Sequence, residues 1–302
     1  MHFRLTAAVL LAAALGACAT TRIIDHPSQN KDDRVRFLVL HYTDEPFQRS
    51  LDLLTRPHEN PVSAHYLVGR AGEYGSRTPP VLRLVDETQR AWHAGPSRWQ
   101  GREGLNDQSI GIEIVYESRC GRAAGEAVSP WIADAQCDYA AYPADQIAAL
   151  ETLARAILAR HPDIDATRVV GHADIQPENK TDPGPRFPWR ELSAKGIGAW
   201  PDDADVARYR SYFAAQPPDW PLVRSALIAY GYGLGGAALF DTRARDVLSA
   251  FQSHFLPMHR SGEPDALTAA SVLALLDKYR RAERDTLQQT YPQLPMRRSP
   301  VN

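Results

Sequence analysis

Short apolar runs that end at a histidine, separated by a helix-forming segment, most restrict the fold of this chain. Residues 34–40 (RVRFLVL) are apolar and β-branched and end at His41, and a second run, 169–170, ends at His172. Between them, residues 145–160 place apolar side chains every three or four positions, the period of an amphipathic helix. Other apolar runs that predict strands are 65–68, 81–85 and 110–115. Strands that alternate with helices predict an α/β sheet domain.

The last third of the chain is predicted to be helical. A connecting helix is expected over 204–215, and a small separate domain follows with helices over 221–230 and 242–255. Asp241 is expected to cap the second of these helices, and Thr268 a third. The expected divisions of the chain are a signal peptide at 1–17, a tether at 18–33, the sheet domain at 34–192, a linker at 193–219, the helical domain at 220–282 and a loose tail at 283–302.

The sequence begins like that of an exported protein. A short positively charged start precedes an apolar run over 5–15, which is shorter than the about 20 residues of a membrane-spanning helix and fits a signal peptide. Residues 15–18 (LGAC) resemble the bacterial lipobox, in which cleavage precedes the cysteine and fatty acids such as palmitate are attached. The alternative is a plain secretory signal cut near Ala17 or Ala19. The lipobox predicts a lipid anchor at Cys18, and Ala19 in place of aspartate favours the outer membrane, facing the periplasm.

Charge and cysteine content restrict the partners and the compartment. The formal net charge of -2 argues against a nucleic-acid-binding protein. With Cys18 assigned to lipid, Cys120 and Cys137 remain as a pair, and a disulfide between them is plausible in an oxidising compartment. Such a bond would contribute about 3 kcal/mol in the chain-entropy treatment. Two inert buried thiols are the alternative, and the spacing does not favour a zinc knuckle.

Three side chains at the predicted strand ends suit a metal site. His41 and His172 each follow a strand, and Asp182 comes ten residues after His172, in the loop GHADIQPENKTDPGP over 171–185. Two imidazoles and one carboxylate, with one position left open, are the ligands of a catalytic zinc ion. Each residue by itself is more often structural, and the loop by itself resembles an ordinary proline-rich connection. Their joint placement favours one Zn²⁺ per chain.

Two further charged residues complete a possible hydrolytic site. Glu113 lies in an otherwise apolar strand, IGIEIV, where a buried carboxylate without a partner is costly. Hydrolysis at a metal needs a general base, for which glutamate is suitable. Lys180 lies two residues before Asp182 and could stabilise a developing oxyanion. The alternative for Lys180 is an ordinary solvated loop lysine.

Five segments, in this order, resemble the zinc-dependent N-acetylmuramoyl-L-alanine amidases. The resemblance implies the fold of phage T7 lysozyme and the peptidoglycan recognition proteins, a central mixed β-sheet flanked by helices. It also implies zinc binding by His41, His172 and Asp182, acid/base catalysis by Glu113 and oxyanion stabilisation by Lys180. In layout the chain is similar to the AmiD-type outer-membrane lipoprotein amidases. The segments are VLHYT at 39–43, VSAHYLV at 62–68, AWHAG at 91–95, NDQSIGIE at 106–113 and GH through KTDPGPRFPW at 171–189.

The resemblance leaves two departures and several uncertain roles. Phage-type members have a tyrosine at the position of Ala64, so the role of the base falls more heavily on Glu113. Residues 117–142 resemble an insertion of open function. The C-terminal segment around FQ at 251–252 resembles the three-helix peptidoglycan-binding domain, although a bundle that only braces the enzyme is the alternative. The residues expected to contact substrate, or else to pack beneath the groove, are His65, Trp92, His93 and Asn106.

These features together predict a monomeric hydrolase that acts on peptidoglycan. The expected reaction cuts the amide between N-acetylmuramic acid and the L-alanine of the stem peptide. Three alternatives remain at this point: a recognition module that binds peptidoglycan without cutting it, a zinc peptidase that cuts within the stem peptide, and a structural lipoprotein that links membrane and wall.

Overall fold

The computed structural model describes residues 24–118, 129–134, 137–235 and 239–297. The chain divides into two compact units, Met1–Asp32 and Asp33–Asn302. In the first, residues 24–32 are exposed and form no helix or strand. The expected lipid-anchored Cys18 and the expected disulfide partner Cys120 lie outside the described residues, whereas Cys137 is disulfide-bonded. Within the described ranges, no helix has the length and apolar character needed to cross a membrane.

A mixed sheet of five strands forms the centre of the second unit, in the order β3-β2-β6-β1-β7. The pair β2–β3 is antiparallel, and the other neighbours are parallel. All five strands predicted from the sequence are confirmed. Two short strands pair separately as a second sheet. The strands are β1 (Phe37–Tyr42), β2 (Tyr66–Val68), β3 (Val81–Arg83), β4 (Arg98–Trp99), β5 (Arg102–Glu103), β6 (Ser109–Ile114) and β7 (Val169–Gly171).

The helices confirm the predicted segments and add short ones that the sequence pattern did not reveal. Asp219, Asp241 and Asp265 cap three C-terminal helices, each accepting a backbone N–H with its side chain. Thr268 is therefore not the cap that the sequence predicted, because its N–H donates to Asp265. The helices are α1 (Phe47–Thr55), α2 (Pro130–Asp134), α3 (Ala144–Arg160), α4 (His172–Ile175), α5 (Trp189–Ser193), α6 (Asp203–Ala215), α7 (Trp220–Tyr230), α8 (Thr242–Phe255), α9 (Ala266–Tyr279) and α10 (Arg281–Thr290).

Alternation of side chains along β1 gives the sheet two apolar faces. Leu38 and Leu40 belong to a core shared with Leu150 of α3 and its neighbours. Val39, on the opposite face, belongs to a core formed with the C-terminal helices. Because successive strand residues point to opposite faces, His41 points to the same face as Val39. His41 therefore faces the C-terminal helices.

The C-terminal helices do not form the separate domain expected from the sequence. Their core is continuous with Val39, Val170 and other sheet residues. The helix expected over 204–215, within the expected linker 193–219, is α6, and its Tyr209 is fully buried. The segment 283–302, expected to be loose, continues α10 to Thr290, and Leu294 is buried. Apolar spacing along these helices indicates a buried face, but it does not show that the same side chains also cover the sheet.

Candidate metal and catalytic site

The three predicted metal ligands lie together at one edge of the sheet, and all three are buried. The Nδ1 atoms of His41 and His172 are 3.0 Å apart. Asp182 Oδ2 lies 3.1 Å from His41 Nδ1 and 3.2 Å from His172 Nδ1. This is the sole group of three such side chains that could hold a metal ion in the part of the chain that the structure describes.

The fold brings the ligands together through neighbouring parallel strands. In the register of β1 and β7, Leu40 pairs with Gly171, so His41 and His172 follow at the same edge. A Cβ on Gly171 would lie 2.7 Å from Pro183 Cδ, so only glycine allows the loop to return this closely. The N–H of Ala173 donates to the Asp182 carbonyl at 2.9 Å and fixes the position of that residue. The peptide bond between Asp182 and Pro183 is cis.

A chain of hydrogen bonds sets the tautomer of His41. The Ser109 hydroxyl donates to the Leu105 carbonyl at 2.8 Å, so its oxygen accepts from His93 Nε2 at 3.0 Å. His93 Nδ1 then carries a lone pair and accepts from His41 Nε2 at 3.0 Å. With its proton on Nε2, His41 presents an unprotonated Nδ1 to His172 and Asp182. We call this series of groups, from the Leu105 carbonyl to His41, the histidine relay.

Gln176 fixes the second imidazole in the same way. Its Oε1 lies 3.2 Å from His172 Nε2 and accepts the proton of that nitrogen, which leaves Nδ1 of His172 unprotonated. Two nitrogen lone pairs and a carboxylate oxygen therefore converge without a proton between them. Three ligands of a tetrahedral divalent ion, each about 2.0–2.1 Å from it, are about 3.3 Å apart. The observed separations of 3.0 to 3.2 Å fit such a site closely.

The environment keeps two of the predicted ligands, His41 and Asp182, in the protonation states that bind metals. Burial lowers the pKa of His41 to about 4, and the nearby His172 contributes further. Burial also lowers the pKa of His93 well below its usual value. Burial alone would raise the pKa of the Asp182 carboxyl, but His172 and His41 hold it well below its usual range. At neutral pH Asp182 is therefore a carboxylate, and His41 and His93 are neutral imidazoles.

Glu113 lies beside the metal ligands on the central strand β6. It pairs in register with His41 of β1 and with Leu67 of β2. Its Oε2 is buried and has no hydrogen-bond partner among the described residues. Burial raises the pKa of Glu113 well above its usual value, the charge of Asp182 adds to the shift, and Lys180 opposes it. A carboxyl group with a raised pKa keeps its proton to a higher pH than a free glutamate does, which suits proton transfer.

Lys180 lies at the surface, in the loop between the second and third ligands. It is exposed, and its positive charge acts on both Glu113 and His41. The neighbouring Thr181 is held by a hydrogen bond of 2.8 Å between its Oγ1 and the Tyr42 hydroxyl. The lysine therefore has a fixed backbone, and its side chain is exposed and forms no hydrogen bond or ion pair with the residues that the structure describes.

Three of the four residues expected to contact substrate, or else to pack beneath the groove, form hydrogen bonds within the protein. His65 is fully buried, and its ring accepts the Gly111 N–H at 3.0 Å and lies 3.2 Å from the Gln89 carbonyl. His93 is also buried and belongs to the histidine relay. Asn106 Oδ1 accepts the backbone N–H groups of His93 and the following residue at 3.0 and 2.8 Å. These side chains hold the site from beneath, because their polar atoms bond to the protein.

Trp92 alone among these four residues has a large exposed side chain. Its relative exposure is 46%, and its backbone N–H donates to Ser63 Oγ at 2.9 Å. The indole therefore projects from a fixed backbone next to His93. Ser109 and Gln176, which bond to His93 and His172, were not predicted from the sequence. Both lie in segments that carry the resemblance, but a single serine or glutamine has no spacing pattern that indicates such a role.

Comparison with known proteins places the site in context. Residues 31–185 match the N-acetylmuramoyl-L-alanine amidase family. The chain is 39% identical over 291 residues to the N-acetylmuramoyl-L-alanine amidase AmiD of Escherichia coli K12, and the alignment covers 92% of this chain and 98% of that protein.

Two solved structures are similar over most of the chain. AmpDH3 of Pseudomonas aeruginosa, in complex with anhydromuramic pentapeptide, has a TM-score of 0.76 at 40% identity, covering 86% of this chain and 99% of that one. AmiD of Escherichia coli, in complex with the substrate anhydro-N-acetylmuramic acid-L-Ala-D-γ-Glu-L-Lys, has a TM-score of 0.72 at 39% identity, covering 84% and 93%. The likeness extends beyond the sheet to the C-terminal helices.

Proposed function

Since the chain belongs to the N-acetylmuramoyl-L-alanine amidase family, we propose that it hydrolyses the amide between N-acetylmuramic acid and the L-alanine of the peptidoglycan stem peptide. One observation carries the proposal: three unprotonated metal ligands converge next to Glu113, whose buried Oε2 has no protein partner among the described residues. A module that only binds peptidoglycan does not need this combination.

The ligand set suits zinc. His41, His172 and Asp182 supply two nitrogens and one oxygen, which is the donor set of catalytic zinc sites with one open position. Zinc in this site would supply Lewis acidity, which makes a water molecule more acidic and polarises a carbonyl group. The histidine relay and Gln176 keep the two imidazoles oriented with Nδ1 toward the ion.

The protein's own groups then move the protons. Glu113 accepts the proton of the attacking water and delivers it to the nitrogen of the leaving L-alanine, which must depart as an amine. Its raised pKa makes the carboxylate a stronger base toward the water than a free glutamate is. Lys180, at the opening of the site, stabilises the negative charge that develops on the carbonyl oxygen.

Substrate recognition is proposed to involve the exposed indole of Trp92, which offers a flat apolar surface for a sugar ring or peptide. The ligands named for the two structural relatives are anhydromuramyl peptides. This supports peptidoglycan fragments as substrates. The C-terminal helices are proposed to add affinity for peptidoglycan.

We propose that the protein acts in the periplasm, bound to the outer membrane by lipid on Cys18, as a monomer. The lipobox-like residues 15–18 support this location. Metabolic labelling with palmitate should mark the wild-type protein and not the Cys18→Ala variant. Equal labelling of the two would contradict the anchor.

The reaction is tested by digesting purified peptidoglycan and identifying the products by mass spectrometry. We expect intact stem peptides with a free L-alanine amino terminus, and we expect a chelator to abolish their release and added zinc to restore it. The matched control is His172→Ala, which should release none. Peptides cut within the stem would show a peptidase, and peptidoglycan binding without release would show a recognition module.

A further inference from the structure

The loop that carries two of the three metal ligands is held by the C-terminal helices. Asp174 lies in the single turn α4, two residues after His172, and is almost wholly buried. Its Oδ2 accepts the Gly171 N–H at 2.8 Å and lies 2.8 Å from His254 Nδ1, and its Oδ1 accepts the Tyr232 hydroxyl at 2.6 Å. Two of the three donors to this carboxylate therefore come from the helical part of the chain.

The two distant donors are themselves packed against aromatic rings. His254, on α8, is stacked between the rings of Trp189 and Phe255, with both centroids 3.9 Å away. Tyr232 packs edge-on against Trp99 at 4.8 Å. A buried carboxylate needs such donors, because an uncompensated one costs several kcal/mol. Asp174 therefore remains where these two side chains hold it.

A second set of contacts holds the middle of the same loop. Arg243 of α8 forms an ion pair with Glu178 at 3.0 Å and also donates to the Gly233 carbonyl at 3.0 Å. Trp131 Nε1 donates to the Pro177 carbonyl at 2.8 Å. Trp131 lies on α2, which contacts α8. The loop is thus attached to helix α8, directly or through α2, at three points along its length.

A one-turn helix such as α4 has little stability of its own, because its few internal hydrogen bonds do not offset the cost of nucleation. Yet α4 places both ligands of the loop: His172 is its first residue, and the N–H of Ala173 fixes the Asp182 carbonyl. His41, by contrast, lies on a central strand. The geometry of the loop ligands therefore depends on contacts from outside the loop.

We propose that Tyr232 and His254 are positioning residues of the metal centre, which they support through Asp174. The C-terminal helices, with the turn that follows α7, are then a structural part of the catalytic site. This inference rests on the proposed metal site. It predicts that removal of the Tyr232 hydroxyl weakens metal binding although no ligand residue is changed.

The test compares two tyrosine-to-phenylalanine variants of the full chain. Tyr232→Phe removes the donor to Asp174. Tyr209→Phe is the matched control, since that buried hydroxyl donates to the Asp277 carboxylate at 2.8 Å within the helices and does not reach the loop. Zinc dissociation constants are measured by competition with a chromophoric chelator, together with kcat, KM and the melting temperature of each metal-free protein.

We expect Tyr232→Phe to weaken zinc binding about tenfold, the lower end of the loss seen when a group supporting a metal ligand is removed, and to lower kcat more than it changes KM. Tyr209→Phe should lower the melting temperature and leave zinc affinity and kcat unchanged. His254→Asn gives a second reading if Tyr232→Phe does not fold: its amide nitrogen can replace the Nδ1 donor, so it should bind zinc more tightly than His254→Leu.

Equal zinc affinity in wild type and Tyr232→Phe, or in His254→Asn and His254→Leu, would overturn the inference and leave the proposed function intact. Failure of the proposed function itself would give other results. The wild-type protein would bind no zinc, or His172→Ala would bind zinc as tightly as wild type.

Discussion

Ser109 does not touch the metal ligands, yet its replacement by alanine should weaken zinc binding. It is buried at the start of β6, and its hydroxyl accepts from His93 Nε2 while donating to the Leu105 carbonyl. In the Ser109→Ala variant, the Nε2 proton of His93 has no acceptor. The metal-free protein avoids this by reversing the histidine relay, so that His93 Nδ1 donates to His41 and His41 Nδ1 donates to Asp182 Oδ2, 3.1 Å away.

The reversed relay puts a proton on the nitrogen that must bind the ion. Zinc binding then requires a return to the original tautomers, with a buried N–H left unsatisfied, at a cost of about 1–3 kcal/mol. At about 1.4 kcal/mol for each factor of ten, this corresponds to a loss of about 5-fold to 150-fold in zinc affinity. The melting temperature of the metal-free protein should change little, because the reversed relay leaves no donor unpaired.

Competition with a chromophoric chelator measures the affinity, and long-range ¹H–¹⁵N spectra of the histidine rings identify the tautomers. Ser50→Ala is the matched control, because Ser50 is also buried. It lies on α1, away from the histidine relay, and its hydroxyl donates to the Glu45 carbonyl at 3.0 Å. Two results would refute the reasoning: Ser109→Ala binds zinc as tightly as wild type, or its histidines keep the wild-type tautomers when metal-free. Either result would show that the histidine relay does not set the tautomer of His41.

Three other substitutions test separate parts of the molecule. Glu113→Gln should keep zinc affinity and lower kcat by about 10²–10⁴-fold, measured with a muramyl peptide, because proton transfer is lost; loss of zinc would instead make Glu113 structural. Gly111→Ala should cost about 1–3 kcal/mol in urea unfolding and reduce zinc content, because its Cβ would lie 2.4 Å from the His93 ring; an unchanged zinc content would contradict this. Burial raises the pKa of Glu87, but Arg160, Tyr66 and His161 outweigh it and lower the value from 4.5 to about 2. The contribution of Glu87 is therefore present above pH 4.5 and lost as the pH falls toward 2. Glu87→Gln should cost about 2 kcal/mol at pH 7, less than the full shift because Arg160 is half exposed, and about half as much near pH 3; an equal cost at both pH values would contradict it.

The sequence was sufficient to predict that His41 and His172 lie close together, because the position of each has a local cause. His41 and His172 follow strands, and neighbouring parallel strands bring their ends to one edge. The supporting groups have no such cause: His254 meets Asp174 across 80 residues of sequence, and α4 is too short to produce a helical period. The expectation that the C-terminal helices form a separate domain was wrong for a similar reason. Apolar spacing shows that a helix has a buried face, and does not show which surface buries it.

The proposed metal ligands lie on two kinds of structure, a sheet strand and a loop, and this implies different mobility within one site. His41 lies on a central strand with neighbours on both sides, β6 and β7, and can move only if the sheet opens. His172 and Asp182 lie on a loop whose fixed points, Asp174 and Glu178, are bonded to side chains of the helical unit. Regions held by few contacts open at lower free energy than the core. The metal site is therefore only as stable as the contact between loop and helices, so a substitution on α8 can reduce catalysis without lying in the substrate groove.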